Sequence, residues 1–357
     1  MSKYSTNEMT SVDQQRVTVV GVDLGKTWVE VCGQDASGKV CLTGKYKPGE
    51  FRALMARLPA CLVGLEACGR SHHWARVLQG YGHEVKLIAP QFVKPYVQSN
   101  KSDRADAQAV CEAVQRPTMR FVGVKTVVQQ DQQSLHRVRS LALAQRTAQV
   151  NQVRGLLAEQ GIEIGLGRAQ VRATLPGVLE DGENGLSGAF RELLQDAYET
   201  LVRMDARLDE LEAKIARWAQ ADAQAQRLMS IPGIGPITAT ALLAAVGDVR
   251  TFRNGREVAA WLGLVPRQHS TGGREQLLGI SKRGDSYVRG LLIHGARAVL
   301  RVSGRKTDPR SRWVQAIAAR RHRNVATVAL ANRMARTAYA LLVKEEDYRA
   351  DHVVQPA

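Results

Sequence analysis

Between residues 17 and 89 the chain alternates short apolar runs with amphipathic stretches. VTVVGV (17–22), WVEVCG (28–33) and VCLTGKY (40–46) are rich in β-branched residues and separated by Gly and Asp-Ala-Ser-Gly turns, which predicts three strands. FRALMARL (51–58) carries its apolar residues at helical spacing, and CLVGLE (61–66), SHHWARVLQGYG (71–82) and EVKLIA (84–89) follow as strand, helix and strand. Pro90, Pro95 and the stretch Gln98-Ser99-Asn100-Lys101 read as a loop leading to a helix that starts at Asp103. The order βββαβαβα predicts an antiparallel meander followed by parallel α/β units. In that arrangement the first and fourth strands end side by side.

The second half is helical in pattern. Residues 129–160 form a polar, arginine-bearing helix, and a Gly-rich interruption spans 161–188. Beyond it, Leu201, Met204, Leu208, Leu211, Ile215 and Trp218 step by three and four, a heptad seam with charged residues between. The two helices predict an antiparallel hairpin, or a coiled-coil arm able to join copies of the chain. From Leu228 the chain reads MSIPGIGPITATALLAAVGD, in which Ile231-Pro232-Gly233-Ile234-Gly235 separates two helical patterns. That is the form of a helix-hairpin-helix, whose Gly233 and Gly235 would let backbone N–H groups approach a phosphate.

Charge narrows the partner. The chain has 357 residues, a net charge of +16 and a pI near 10.0, which favours a polyanion over small neutral substrates. No apolar stretch reaches the length of a membrane span. Aromatic residues make up 5%, so phosphate contact should outweigh base stacking, and Trp28, Trp74, Trp218 and Trp261 sit in apolar patterns expected to be core or seam. The five cysteines all lie in the first third and form no CxxC, which fits free thiols in a reducing cytoplasm. The polar ends, 1–16 and 344–357, are expected to be disordered.

Two groups of residues carry chemistry. Asp23 ends the first strand, Glu66 ends the fourth, and Asp103 and Asp106 stand three apart on one face of the next helix. Four such carboxylates suit a divalent magnesium ion with oxygen ligands. The second group is RQHSTGGREQLLGISKRGDSYVRGLL, read as a flexible segment in which Ser270 is crowded by Arg267, His269 and Arg274. Gly272 and Gly273 would allow close approach of a phosphate, and the arginines would neutralise it. Ser281-Lys282-Arg283-Gly284 is a second basic loop with a hydroxyl, opening the helix that contains Arg289. Residue chemistry alone leaves Ser270 a turn residue or a nucleophile, with Thr271 and Ser281 as alternative hydroxyls.

These residues together resemble bacterial insertion-sequence transposases with a DEDD acidic site and a C-terminal serine-bearing domain, a family that also contains a pilin-switching DNA invertase. The resemblance is carried by VGVDLGK, GLEACG and KSDRADA in the N-terminal part. SIPGIGPITATALLAAVGD, AAWLGLVPRQHSTGG and GISKRGDSYVRGLLIHGARAVL carry it in the C-terminal part. It implies an α/β plus α architecture: a ribonuclease-H-like (Holliday-junction-resolvase-like) DEDD domain over 17–125, a helical coiled-coil arm over 126–222, and a mostly helical C-terminal transposase domain over 223–343. It implies that Asp23, Glu66, Asp103 and Asp106 hold magnesium and that Ser270 forms a transient phosphoserine bond to DNA. Gly233, Gly235, Arg267, Arg274, Lys282, Arg283 and Arg289 would contact nucleic acid. The implied partners are element-end and target DNA, a structured guide RNA, and further copies of the chain, a dimer or a tetramer, with acids from one subunit joined to the serine of another. The implied location is the bacterial cytoplasm, at the nucleoid. The alternatives are a site-specific invertase with the same chemistry, and a resolvase-like nuclease that hydrolyses DNA with water.

Overall fold

The computed structural model describes residues 15–97, 102–271 and 274–351, and the chain divides into two compact units, 1–126 and 127–357. Of the expected terminal tails, residues 1–14 and 352–357 lie outside the described residues.

The first unit follows the anticipated order: β1 (Val19–Leu24), β2 (Val29–Gln34), β3 (Val40–Tyr46), α1 (Pro48–Arg57), β4 (Leu62–Glu66), α2 (Ser71–Gly80) and β5 (Glu84–Ile88). Next come a one-turn helix α3 (Pro90–Val93) running into a 3-10 turn, then α4 (Asp103–Val114) and β6 (Phe121–Val122). The six strands lie in the order β3-β2-β1-β4-β5-β6, with β1 antiparallel to β2 and parallel to β4. Two features differ from expectation. Residues 90–96 wind into helical turns because Pro90 and Pro95 sit where a helix needs no N–H. The two-residue β6 is too short to leave any periodicity.

Alternation along the strands sorts side chains to the two faces. Val20, Val22, Val31, Val63 and Leu65 are buried with Phe51, Leu54, Trp74 and Leu78 of α1 and α2. On the other face, Val19 and Cys32 pack with Ala107, Val110, Cys111 and Val114 of α4. Glycine lets α4 come close to the sheet. A Cβ on Gly21 would stand 2.2 Å from the Ala107 carbonyl oxygen, and one on Gly64 would stand 2.9 Å from the Val114 Cβ. Gln34 then fixes α4 along β2, donating to Glu112 at 2.7 Å and accepting from Gln115 at 2.8 Å.

The second unit comprises α5 (Val127–Glu159), α6 (Arg168–Glu180), α7 (Gly188–Ala221), α8 (Ala223–Met229), α9 (Pro236–Val246) and α10 (Gly255–Trp261). A two-stranded ribbon follows, β7 (Pro266–Thr271) with β8 (Arg274–Ile280), and then α11 (Ser286–Ser303), α12 (Pro309–Arg320) and α13 (Arg323–Lys344). The expected interruption at 161–188 contains α6, held by buried Val171 and Leu175, although its Gly and Pro content hides it. Leu201, Leu208, Leu211 and Ile215 of the heptad seam are buried, and Met204 and Trp218 half-buried. The seam is filled within the chain rather than left as an oligomer contact: α7 packs on α5 and α9, with Arg139 Nε donating to Glu212 at 3.0 Å. The arm and the C-terminal helices thus share one unit, and Ala219 of α7 belongs to the same core as Leu292 and Leu330.

Two further expectations are corrected. Part of the C-terminal tail is docked: the Tyr348 N–H donates to Ser230 Oγ at 3.0 Å, and the Arg310 guanidinium lies 5.5 Å over the Tyr348 ring. Of the tryptophans, Trp74 is core, Trp218 and Trp261 are half-buried, but Trp28 is 40% exposed. Strand β2 begins at Val29, so Trp28 falls in the turn and no pleat carries it inward.

Candidate active site

Sheet register assembles the acids. Asp23 pairs with Glu30 across β1–β2, Glu30 pairs with Lys45 across β2–β3, and Val22 pairs with Leu65, which sets Glu66 beside Asp23. Gly21 and Gly64 face α4, so by the two-residue period Asp23 and Glu66 share that face. Helix α4 begins there. Ser102 caps it by accepting the Ala105 N–H at 3.2 Å, placing Asp103 and Asp106 in the first turn, where the helix dipole favours negative charge.

Electrostatics record the convergence. The half-buried Asp23 carboxyl is held above its ordinary value, first by burial, then by the charges of Asp106, Asp103 and Glu30; only a hydrogen bond from the Leu24 N–H opposes them. The expected set thus gains a fifth member. Glu30 was legible in principle, since a residue opposite Asp23 in the first hairpin must share its face. Lys45 supplies the counter-charge, with Nζ 3.4 Å from Glu30 and 3.8 Å from Asp103.

Among the described residues, no three such side chains stand close enough to chelate a metal without moving. The donor set nonetheless fits a hard divalent ion. It offers carboxylate oxygens alone, and their mutual repulsion at Asp23 is what a bound cation relieves. Asp23, Glu66, Asp103 and Asp106 are the residues that would hold it.

The hydroxyl region has a different construction. Ser270 lies in β7, opposite Glu275, and is exposed, as are His269, Thr271, Arg267 and Arg274. The segment expected to be an irregular loop is therefore a ribbon; Gly272 and Gly273 lie outside the described residues. Its base is tightly closed. Gly263 and Gly284 have positive φ, and a Cβ on either would collide with backbone of the facing loop, at Arg283 and Trp261 respectively. The Ser281 N–H donates to the Val265 carbonyl at 2.8 Å, while the Ser281 hydroxyl is buried without a hydrogen-bond partner. Arg289 donates to the Leu262 and Arg283 carbonyls at 3.1 and 2.9 Å, so its guanidinium staples this base. Lys282 and Arg283 are exposed.

The segment expected to be a helix-hairpin-helix consists of α8, a turn and α9. Gly233, at φ +95°, packs inward, where a Cβ would meet Val299, the Gly295 carbonyl and Met334; Gly235, the N-cap of α9, faces open space. Behind it lies a group that the sequence reading missed. His136 of α5 is buried, with Nδ1 3.1 Å from Tyr287 Oη and Nε2 2.9 Å from Thr240 Oγ1. Burial, and then the Arg139 charge, push its imidazole down to about 4. A lone polar residue in a polar helix carries no sign of such a role.

Comparison with known proteins finds matches over both parts of the chain. Residues 20–161 match the DEDD transposase family model, and residues 225–312 match that of the transposase IS116/IS110/IS902 family. The chain is 51% identical to a "probable family 20 transposase" of Pseudomonas aeruginosa, over 92% of this chain and 98% of that one. It is 44% identical to the transposase for insertion sequence element IS1111A of Coxiella burnetii, over 93% and 92%. The transposase for insertion sequence element IS1328 of Yersinia enterocolitica is 38% identical over 91% and 96%. With these family models and relatives, the chain belongs to the IS110/IS116/IS902 family of insertion-sequence transposases.

Proposed function

We propose that this transposase cuts and rejoins DNA through a covalent serine intermediate, with Ser270 as nucleophile, magnesium at Asp23, Glu66, Asp103 and Asp106, and a structured RNA as guide. The observation that carries the choice of hydroxyl is exposure. Ser270 stands on a solvent-facing ribbon among Arg267, His269 and Arg274, whereas the Ser281 hydroxyl is buried beneath the ribbon's base. Thr271 is exposed beside Ser270 and is the second choice.

In the proposed step, Ser270 Oγ attacks a backbone phosphorus. The Oγ–P bond forms, one P–O bond to a sugar breaks, the serine proton leaves to solvent, and the freed sugar oxygen takes up a proton. A sugar hydroxyl of another strand then attacks the phosphoserine, restoring Ser270 and sealing the strand without an outside energy source. Bound magnesium would neutralise charge growing on the phosphate oxygens. Arg267 and Arg274 hold the same phosphate from the ribbon, and Lys282 and Arg283 bind neighbouring ones. Guidance by RNA and work in an oligomer come with the family resemblance. A basic, aromatic-poor chain suits a protein that leaves sequence reading to base pairing.

The test is covalent trapping. Protein, labelled element-end DNA, magnesium and the RNA of the element's non-coding end are resolved on a denaturing gel. A protein–DNA adduct is expected in wild type, absent in Ser270→Ala and Asp23→Asn, and dependent on the RNA. Cleavage that survives Ser270→Ala without an adduct would instead establish hydrolysis by water.

A further inference from the structure

One aromatic side chain lies outside the core beside the acids. The turn between β1 and β2 carries Trp28, 40% exposed, five residues after Asp23. Two ammonium groups lie near its ring, Lys45 Nζ at 5.9 Å and Lys47 Nζ at 5.8 Å from the centroid. Lys45 is also the residue that reaches Glu30 and Asp103, so the ring and the acid row are joined through one side chain.

The turn is built to be stiff. The Arg70 guanidinium, arriving from the segment after β4, donates to the Gly25 carbonyl and, at 2.9 Å, to the Lys26 carbonyl. Gly25 is required there, because a Cβ would stand 2.7 Å from the Trp28 carbonyl oxygen. Lys47 is fixed at the N-cap of α1, its N–H donating to Glu50 at 2.8 Å. A large exposed ring on a braced turn loses little conformational freedom when a flat partner stacks on it.

We propose that Trp28, Lys45 and Lys47 form a platform for one nucleotide of the DNA strand whose phosphate the acid row handles. The base stacks on the indole, Lys47 takes a flanking phosphate, and Lys45, held in place by Glu30, takes the phosphate nearest Asp103. Base–aromatic stacking tolerates any sequence, and the lysines read only phosphate, as suits a transposase that does not itself specify the site. Trp28 and Lys47 bind; Glu30 is a positioning residue that acts through Lys45. The assignment rests on the reading that the acids act on DNA, but not on which hydroxyl attacks.

The test uses the full-length protein with calcium in place of magnesium, and a single-stranded DNA 15-mer in which one thymine is replaced by 5-iodouracil. Irradiation joins the iodouracil to a stacked aromatic, and peptide mass spectrometry finds the site. A cross-link at Trp28 is expected. It should be lost in Trp28→Ala, kept in Trp28→Tyr, and fall at least about five-fold in Lys45→Met, with Glu30→Gln intermediate. Because Trp28 is exposed on a turn, Trp28→Ala should keep the wild-type melting temperature, so lost cross-linking is not lost folding. Cross-links confined to other aromatic residues, or stronger cross-linking of an RNA 15-mer than of the DNA, would overturn the assignment. A trapped serine–DNA adduct without a Trp28 cross-link sinks this inference alone. A Trp28 cross-link without any adduct sinks only the serine reading.

Discussion

The acid site and the serine ribbon solve opposite problems. Asp23 and Glu66 end adjacent strands at the centre of a six-stranded sheet, and α4 is pressed onto that sheet at Gly21 and Gly64. The carboxylates are held together against their own repulsion, and the core behind them sustains the cost. Ser270 sits on a two-stranded ribbon whose residues from 266 to 279 are exposed wherever they are described. Two strands without a core are marginal by themselves, which leaves the ribbon's shape free to adjust. Folding gathers the carboxylates on one face of the sheet and leaves their side chains a short movement from chelation, whereas it leaves Ser270 open to solvent.

The sharpest way to break the contrast is to push α4 off the sheet. Gly21→Val should cost about 3 kcal/mol or more, because its neighbours are backbone atoms that cannot yield. Loss of the first unit's thermal transition, and of any stabilisation by magnesium, would be the readout. In the second unit, His136 tests how firmly the helices behind the ribbon are set. Its imidazole titrates at about 4 in the fold against 6.5 ordinarily, so its contribution is full above pH 6.5 and is lost as the pH falls through 4. The difference is about 3 kcal/mol, and His136→Gln should lack that part of the acid sensitivity in denaturant titrations at pH 7 and pH 4.

A smaller effect is expected at the ribbon's base. Gly284→Ala forces a Cβ into the Trp261 carbonyl at a left-handed position and should cost about 2 kcal/mol, with faster amide exchange in β8. Smallest of all is the effect of Ser270→Ala on stability, within about 0.5 kcal/mol by chemical denaturation, although it should abolish the DNA adduct. Hydrogen exchange on wild type completes the contrast. Amides of β1 and β4 should exchange only with global unfolding, and those of β7 and β8 far sooner. Equal protection in both would mean that the ribbon is as preformed as the acid site.

Much of this was legible in the chain. Val, Ile and Leu alternating over 17–89 mark the strands, turn residues separate them, and two acids at strand ends with two more on a helix face announce the site. The parallel pairing of the first and fourth strands, which places Asp23 beside Glu66, came with the likeness of this element order to the ribonuclease-H-like fold. Less visible were features that depend on partners far away in sequence. Helix α6 was masked by its own glycines and proline, and the serine segment looked like a loop because an exposed ribbon has no buried face to reveal a period of two.

Composition and local pattern by themselves thus determined the class of partner and the order of elements in the first unit. Charge sums along a chain, and secondary-structure periodicity is local. Tertiary structure alone decided that the heptad seam is filled by α5 and α9 of the same chain, that Trp28 faces out while Trp74 faces in, and that Ser281 is enclosed while Ser270 is exposed. Each of these depends on which surface meets which, and an amphipathic pattern states only that a face must be covered, not by what.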